Sequence, residues 1–178
     1  NLVFSGASVR AIGITSFGAA AGKSTISMQV ALSFAQTGKR VLLVDADPQG
    51  NATAFFNRSA QDGGLTDLLT GLATCYDEVV QDTDYERLQL IGCDSSLFDV
   101  DLRPDQHCVD PRRVISDLRD ALAEDDACDI VLVDCPPSFT VSAISALAAA
   151  YYTDGSLTQQ DFLVNLSFVS QVSQAVSS

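Results

Sequence analysis

Hydrophobic and polar positions in the first part of the chain follow two alternating patterns. Residues 10–16 (RAIGITS) form a short apolar run ending in small residues, which is typical of a buried strand, and residues 40–44 (RVLLV) form another. Between them, residues 24–36 carry apolar side chains at helical spacing, and Gly38 stands where a helix C-cap is expected. The order strand, helix, strand predicts a βαβ unit.

The middle of the chain continues this pattern less regularly. Further strands are predicted at residues 88–92 (LQLIG) and 129–133 (DIVLV), and the second should be central and parallel because it is almost continuously apolar. Helices are predicted at residues 65–72 and from Asp110 and Pro111 to residue 122. These elements predict an α/β fold with a mostly parallel central sheet and helices on both faces.

The end of the chain departs from that pattern. Residues 151–160 (YYTDGSLTQQ) are polar where another apolar strand is expected, so either a loop lies there or a stretch of chain is omitted. Residues 162–178 keep apolar positions at helical spacing and predict a terminal amphipathic helix. We therefore expect one domain over residues 1–178 with a short or incomplete C-terminal part.

Charge limits the partners that the chain can bind. It carries 23 acidic and 10 basic residues, a net charge of -13, which repels nucleic acid and anionic lipid. Arg112 and Arg113 are the only adjacent arginines and the first contacts we would expect should DNA be used, with Arg119 further along the same predicted helix, but Asp110, Asp117 and Asp120 lie among them. No apolar run reaches the roughly 18 residues that a membrane span needs, and the five cysteines form no CxxC pair. We expect a cytoplasmic protein with no membrane contact and weak or no DNA binding.

A phosphate-binding loop is predicted between the first strand and the first helix. Lys23 can reach β and γ phosphates as a point charge, and the Ser24 hydroxyl can take a Mg²⁺ position. The usual first glycine of such loops is replaced by Phe17. The remaining loop positions are small, which lets backbone N–H groups turn toward phosphate oxygens, and they are Gly18, Ala19, Ala20, Ala21 and Gly22. The sequence therefore predicts a P-loop NTPase.

Three carboxylates follow predicted buried strands. Asp45 and Asp47 end the second strand, and Asp134 ends the strand at 129–133. Because side chains alternate along a strand, Asp45 and Asp47 should leave on the same face, at the sheet edge where open α/β sheets bind ligands. Carboxylates placed there beside a phosphate loop can organise Mg²⁺ and an attacking water.

Three segments together resemble those of ParA/MinD-type partition ATPases. They are 15–25 (TSFGAAAGKST), 41–53 (VLLVDADPQGNAT) and 129–138 (DIVLVDCPPS), which match the phosphate loop, the second aspartate motif and the switch segment. The resemblance extends over about residues 11–150. It implies a deviant Walker-box α/β domain that binds Mg-ATP, dimerises with nucleotide between the subunits and hydrolyses ATP to position or partition a plasmid, chromosome or protein complex.

By that resemblance, the phosphate loop divides its work among three residues. Lys23 would hold the phosphates and act in catalysis, Ser24 would ligate Mg²⁺, and Thr25 would touch the α-phosphate. The lysine that the family carries near the start of the loop, which reaches into the partner's site, falls at Gly18 here. Hydrolysis is therefore expected to be slow, although a subset resembling the carboxysome-distributing ATPases also lacks this lysine.

The resemblance also gives roles to the strand-end residues. Asp47 would place the hydrolytic water, with Asp45 and Asp134 supporting the metal. Pro136 and Pro137 would belong to the switch that senses the γ-phosphate. A ParB-like protein or adaptor is the implied partner, and an ATP-dependent homodimer is the implied assembly.

Two other functions remain open from the sequence. One is a nucleotide-dependent scaffold that binds ATP but barely hydrolyses it. The other is a bacterial tyrosine kinase of the polysaccharide-export type, whose loop also reads TS…GKST. That family would have a tyrosine cluster at its tail, whereas this chain has an isolated pair, Tyr151 and Tyr152.

Overall fold

The computed structural model describes residues 10–14, 23–60, 63–103, 110, 113–136, 140, 142–143 and 145. Strands and helices alternate along these segments, as the βαβ pattern predicted. In chain order the elements are β1 (Arg10–Ile14), α1 (Lys23–Gln36), β2 (Val41–Asp45), α2 (Asn51–Phe55), α3 (Leu65–Thr70), a 3₁₀ turn (Tyr76–Glu78), β3 (Val80–Asp82), β4 (Leu88–Ile91), α4 (Leu97–Leu102), α5 (Val114–Glu124) and β5 (Ile130–Asp134).

The strands form one mostly parallel sheet, as predicted. Among the described residues its order is β1-β5-β2-β4-β3. The pairs β1–β5, β5–β2 and β2–β4 are parallel, and β3 pairs antiparallel with β4 at one edge. The last described strand therefore lies between the first two, which brings the carboxyl ends of β1, β5 and β2 to the same edge of the sheet.

Helices cover both faces of this sheet, which confirms the predicted layering. Every residue of β2 is buried, and its side chains alternate between the two faces. Val41 and Leu43 pack in the cluster that contains Met28 and Ala31 of α1. The intervening positions of β2 pack with residues of α3, α4 and α5, in a second cluster.

The ends of the helices show where local sequence signals were informative. Gly38, two residues after the end of α1, has a left-handed φ of 87°, as expected of a glycine that caps a helix C-terminus. Helix α5 begins at Val114 rather than at Asp110 and Pro111, and Arg113 N–H, just before the helix, donates to Asp110 O (3.0 Å). Helix α3 ends at Thr70, two residues earlier than predicted.

Strand β3 was not predicted. Its sequence, VQD, is half-exposed and largely polar, so it has no apolar pattern to reveal it. It is held by backbone pairing with β4 at the sheet edge. The predictions for 151–160 and 162–178 lie outside the described residues, and the single domain over 1–178 stays a prediction. No helix in the described part of the chain is long and apolar enough to cross a membrane.

Candidate functional site

Helix α1 begins at the residue where the phosphate loop was predicted to end. Lys23 is its first residue, and Ser24 and Thr25 complete the first turn. The backbone N–H groups of a first turn have no partner inside the helix and carry the positive end of its dipole, so they favour an anion. The loop residues Gly18, Ala19, Ala20, Ala21 and Gly22 lie outside the described residues, and their phosphate contacts stay predictions.

Two buried carboxylates lie side by side at the edge where β2 and β5 end. Asp45 and Asp134 are register partners on these strands, and both are 0% exposed. Asp45 Oδ2 accepts hydrogen bonds from Thr53 N (2.8 Å) and Thr53 Oγ1 (2.7 Å). Asp134 Oδ1 accepts one from Ser27 Oγ (2.8 Å). The structure therefore brings the two predicted metal-supporting acids together on the face covered by α1 and α2.

Burial and the neighbouring carboxylate both disfavour the charged form of Asp45. Burial raises the pKa of Asp45 to about 6, the hydrogen bonds from Thr53 oppose that rise, and the charge of Asp134 adds to it. Two adjacent carboxylates in a medium of low polarity repel each other strongly, and a cation beside them would relieve that repulsion.

Magnesium fits the chemistry of these donors. Carboxylate and hydroxyl oxygens are hard ligands, and Mg²⁺ is usually held by one or two carboxylates plus phosphate and water. The described residues contain no group of three or more His, Cys, Asp or Glu side chains that could hold a metal. Ser24 lies three residues before Ser27, hence on the same face of α1 as the side chain that contacts Asp134.

Asp47 is fixed by its backbone in the loop after β2. Strand β2 ends at Asp45, so the predicted strand alternation does not extend to Asp47, and that argument for their shared face was wrong. The two residues still meet, because Asp47 N–H donates to Asp45 Oδ1 (3.3 Å). Asp47 O accepts from Gly50 N (2.8 Å) and Cys93 Sγ (2.8 Å), and its carboxylate accepts from Gln49 N (3.0 Å). Asp47 is 6% exposed and lies beside Asp45, just beyond the end of β2.

Three functional neighbours of these acids were missed from the sequence. Ser27 and Thr53 each donate a hydroxyl to one buried carboxylate, and Cys93 joins them through its backbone N–H, which donates to Thr53 Oγ1 (3.0 Å). The three-residue spacing from Ser24 could have identified Ser27, because it places both hydroxyls on the same face of a helix. The contact between Thr53 and Cys93 joins residues 40 positions apart, and only the strand order reveals it.

The segment after β5 returns to the end of β2. Pro136 is buried, and Pro137 lies outside the described residues. Ala46 N–H donates to Asp134 O (2.9 Å), and Ser142 Oγ reaches Ala46 O (3.5 Å). The backbone after β2 is therefore in contact with the region assigned to the switch.

The arginines considered for DNA contact lie near acids. The guanidinium of Arg113 lies 3.6 Å from the carboxylate of Asp117, and that of Arg119 lies 2.7 Å from that of Asp120. Arg119 is also buried, and Arg112 lies outside the described residues. Acidic side chains therefore offset the positive charges of Arg113 and Arg119.

The fold and the site together define a class of protein. The sheet is mostly parallel and is covered by helices on both faces, and acids at the strand ends face the start of α1, which begins with the sequence Lys-Ser-Thr. This is the arrangement of a P-loop NTPase. A family model described as AAA domain matches residues 9–161. The chain belongs to this family and, within it, is of the ParA/MinD ATPase type.

Sequence relatives support that placement. The chromosome partitioning protein ParA of Caulobacter vibrioides is 33% identical over 144 residues, which cover 80% of this chain and 53% of the relative. The chromosome-partitioning ATPase Soj of Thermus thermophilus is 35% identical over 149 residues, covering 81% and 53%. The chain thus spans about half the length of these relatives.

Solved structures show the same fold. The ATP complex of a McdA variant from Cyanothece superposes with a TM-score of 0.69 at 22% identity, covering 82% of this chain and 55% of that one. Cobyrinic acid a,c-diamide synthase from Mycobacterium smegmatis, with an ATP analogue and magnesium, gives a TM-score of 0.69 at 24% identity, covering 92% and 69%. At these identities the likeness supports the α/β P-loop fold and no more.

Proposed function

We propose that the chain is a ParA-like ATPase that binds Mg-ATP at the carboxyl edge of its sheet and uses it to position or partition a cargo. One observation carries the proposal. The buried pair Asp45 and Asp134 lies beside α1, whose first turn contains Lys23 and Ser24. A lysine at the first position of a helix, the backbone N–H groups of its first turn and two buried carboxylates together provide for a triphosphate and its metal.

Each residue has a distinct task in this proposal. Lys23 and the backbone N–H groups of the first turn bind the phosphates. Ser24, Asp45 and Asp134 hold Mg²⁺, which when bound neutralises charge on the phosphate oxygens. Asp47 accepts a hydrogen bond from the attacking water and orients it toward the γ-phosphate. The segment that contains Pro136 contacts the γ-phosphate and transmits its loss.

The relatives support the wider role. ParA and Soj are named for chromosome partitioning, and one structural neighbour is an ATP complex. We infer that the chain dimerises when ATP is bound, hydrolyses it slowly because Gly18 replaces the family lysine, and acts with a ParB-like or adaptor protein. With a net charge of -13, the cytoplasm rather than a membrane or DNA surface is its expected location.

The chain offers a matched pair of variants for testing ATP binding. Lys23 and Lys39 are its only lysines, and they lie at the start of α1 and just after its end. Lys23→Ala should abolish Mg-ATP binding in calorimetry, whereas Lys39→Ala should bind like the parent. If Lys23→Ala binds as tightly as the parent, the helix start is not the nucleotide site.

Hydrolysis and assembly need a separate measurement. Gel filtration with and without ATP, beside a phosphate-release assay, should show a dimer with ATP and slow release of phosphate. A dimer that releases no phosphate would instead identify the nucleotide-dependent scaffold. A monomer under all conditions would contradict the proposed ATP-dependent assembly.

A further inference from the structure

Three hydrogen bonds join Thr53 to Asp45 and Cys93, beside the buried carboxylates. Thr53 lies in α2 and is 4% exposed. Its backbone N–H and its hydroxyl both donate to Asp45 Oδ2, at 2.8 and 2.7 Å. Its hydroxyl oxygen also accepts the N–H of Cys93 at 3.0 Å. One hydroxyl therefore acts as donor and acceptor at once, which fixes the direction of its proton toward Asp45.

The two oxygens of Asp45 are used unequally as a result. Both strong bonds from Thr53 reach Oδ2, whereas among the described residues Oδ1 receives the 3.3 Å contact from Asp47 N alone. A carboxylate turns easily about its terminal torsion, so without such bonds its plane would not be held in one orientation toward the site. The bonds of Thr53 hold Oδ2 on the α2 side and leave Oδ1 as the oxygen with capacity for a further partner.

The position of Thr53 is itself fixed by the neighbouring strand. Gly92 directly follows β4, and a Cβ atom on it would lie 3.0 Å from Thr53 Cγ2, so a larger residue there would press against this side chain. Gly92 O in turn accepts the N–H of Leu65, the first residue of α3 (2.9 Å). Contacts with Gly92 and Cys93, which do not involve Asp45, thus help to fix the rotamer of Thr53.

We propose that Thr53 is the positioning residue of the magnesium site, which holds the Asp45 carboxylate with Oδ1 directed at the metal. The inference rests on the proposed function, because it requires Mg-ATP at this edge of the sheet. Outer partners that orient a metal ligand contribute to metal affinity without touching the metal. Thr53 therefore acts on the metal through Asp45 alone.

Three variants of the chain separate this role from a structural one. Thr53→Val keeps the shape and removes the hydroxyl, and Thr53→Ser keeps the hydroxyl and removes the methyl group. The matched control is Thr83→Val, because Thr83 Oγ1 also combines a donated bond, to Leu88 O (2.6 Å), with an accepted one, from Tyr85 N (3.1 Å), at the β3–β4 connection. Unfolding in urea measures the structural cost of each change.

The decisive readout is the affinity of the ATP complex for Mn²⁺, measured by electron paramagnetic resonance. Thr53→Val should bind Mn²⁺ about tenfold more weakly than the parent, the lower end of the effect seen for such outer partners. Its affinity for ATP in EDTA should be unchanged. Thr53→Ser and Thr83→Val should keep the parent's Mn²⁺ affinity. If Thr53→Val does not fold, Thr53→Cys replaces it, because a thiol is a weaker donor and should give an intermediate affinity.

The outcomes distinguish this inference from the proposed function. Equal Mn²⁺ affinity in the parent and Thr53→Val, or equal losses in Thr53→Val and Thr83→Val, would overturn the positioning role while leaving ATP binding intact. The positioning role would also be overturned if Thr53→Ser bound Mn²⁺ as weakly as Thr53→Val, or if Thr53→Cys bound Mn²⁺ as tightly as Thr53→Ser. A parent chain that binds no ATP overturns the proposed function, and the positioning role with it.

Discussion

The charge on Asp45 should make the nucleotide-free chain less stable, and Asp45→Asn should therefore stabilise it. Asp45 is 0% exposed, and burial raises its pKa from 3.8 to about 6. A raised pKa means that the folded state binds the proton more tightly than the unfolded state. The resulting stabilisation is complete below pH 4 and is lost as the pH rises through 6.

The size of the effect follows from that shift. Two pKa units correspond to about 3 kcal/mol, which is the stability that ionisation of Asp45 removes above pH 7. Asparagine stays neutral at every pH, and its amide oxygen can still accept both bonds from Thr53. Its amide NH₂ would face the N–H of Asp47, which offsets about 1 kcal/mol of the gain. We expect Asp45→Asn to be about 2 kcal/mol more stable than the parent at pH 8.

Urea unfolding at pH 8, 6 and 4 tests this reasoning. The gain of Asp45→Asn should be largest at pH 8 and should disappear by pH 4, where the parent is also neutral at this position. Asp77→Asn, on the exposed 3₁₀ turn, is the control and should show no comparable trend. With Mg-ATP present, the parent should instead be more stable than Asp45→Asn, because the neutral amide is a poorer Mg²⁺ ligand. A variant less stable than the parent at pH 8, or a gain independent of pH, would refute the argument.

Three further predictions concern Ser27, Asp47 and DNA. Ser27→Ala removes the hydrogen bond to buried Asp134 and should lower the free energy of unfolding by about 2 kcal/mol, whereas Ser33→Ala, on the exposed side of α1, should change it by less than about 0.5 kcal/mol. Asp47→Ala should bind ATP and remain a dimer while phosphate release stops, and unchanged release would remove Asp47 from the mechanism. An ATP-dependent mobility shift on random duplex DNA at physiological salt is not expected, and observing one would show that the acids around Arg113 do not cancel its field.

The parts of the fold that the sequence predicts best are those with a single dominant pattern. Strands β2 and β5 are buried on both faces, so their apolar runs are continuous and unambiguous. Strand β3 has only Val80 and two polar residues, and it exists because β4 offers an unpaired edge. That pairing is a tertiary contact and leaves no periodicity in the sequence.

The site divides in the same way. Asp45 and Asp134 could be located because each directly follows an apolar strand. Their proximity required knowing that β5 lies between β1 and β2, which nothing in the local sequence specifies. Thr53 and Cys93 depend on the same strand order, and their residue types are equally common in ordinary turns and cores.

The place of β5 in the sheet has a consequence for how the chain acquires its site. Within the described residues, β1 pairs with β5 alone, and β2 meets β1 only through β5. A chain emerging from the ribosome can form α1, β2 and β4 well before residues 130–134 are made, but it cannot join β1 to them. Inserting β5 closes a loop of about 85 residues after β2, a slow step for a parallel sheet. Asp134 arrives with that strand, so insertion of β5 and competence to bind a metal nucleotide occur in the same event.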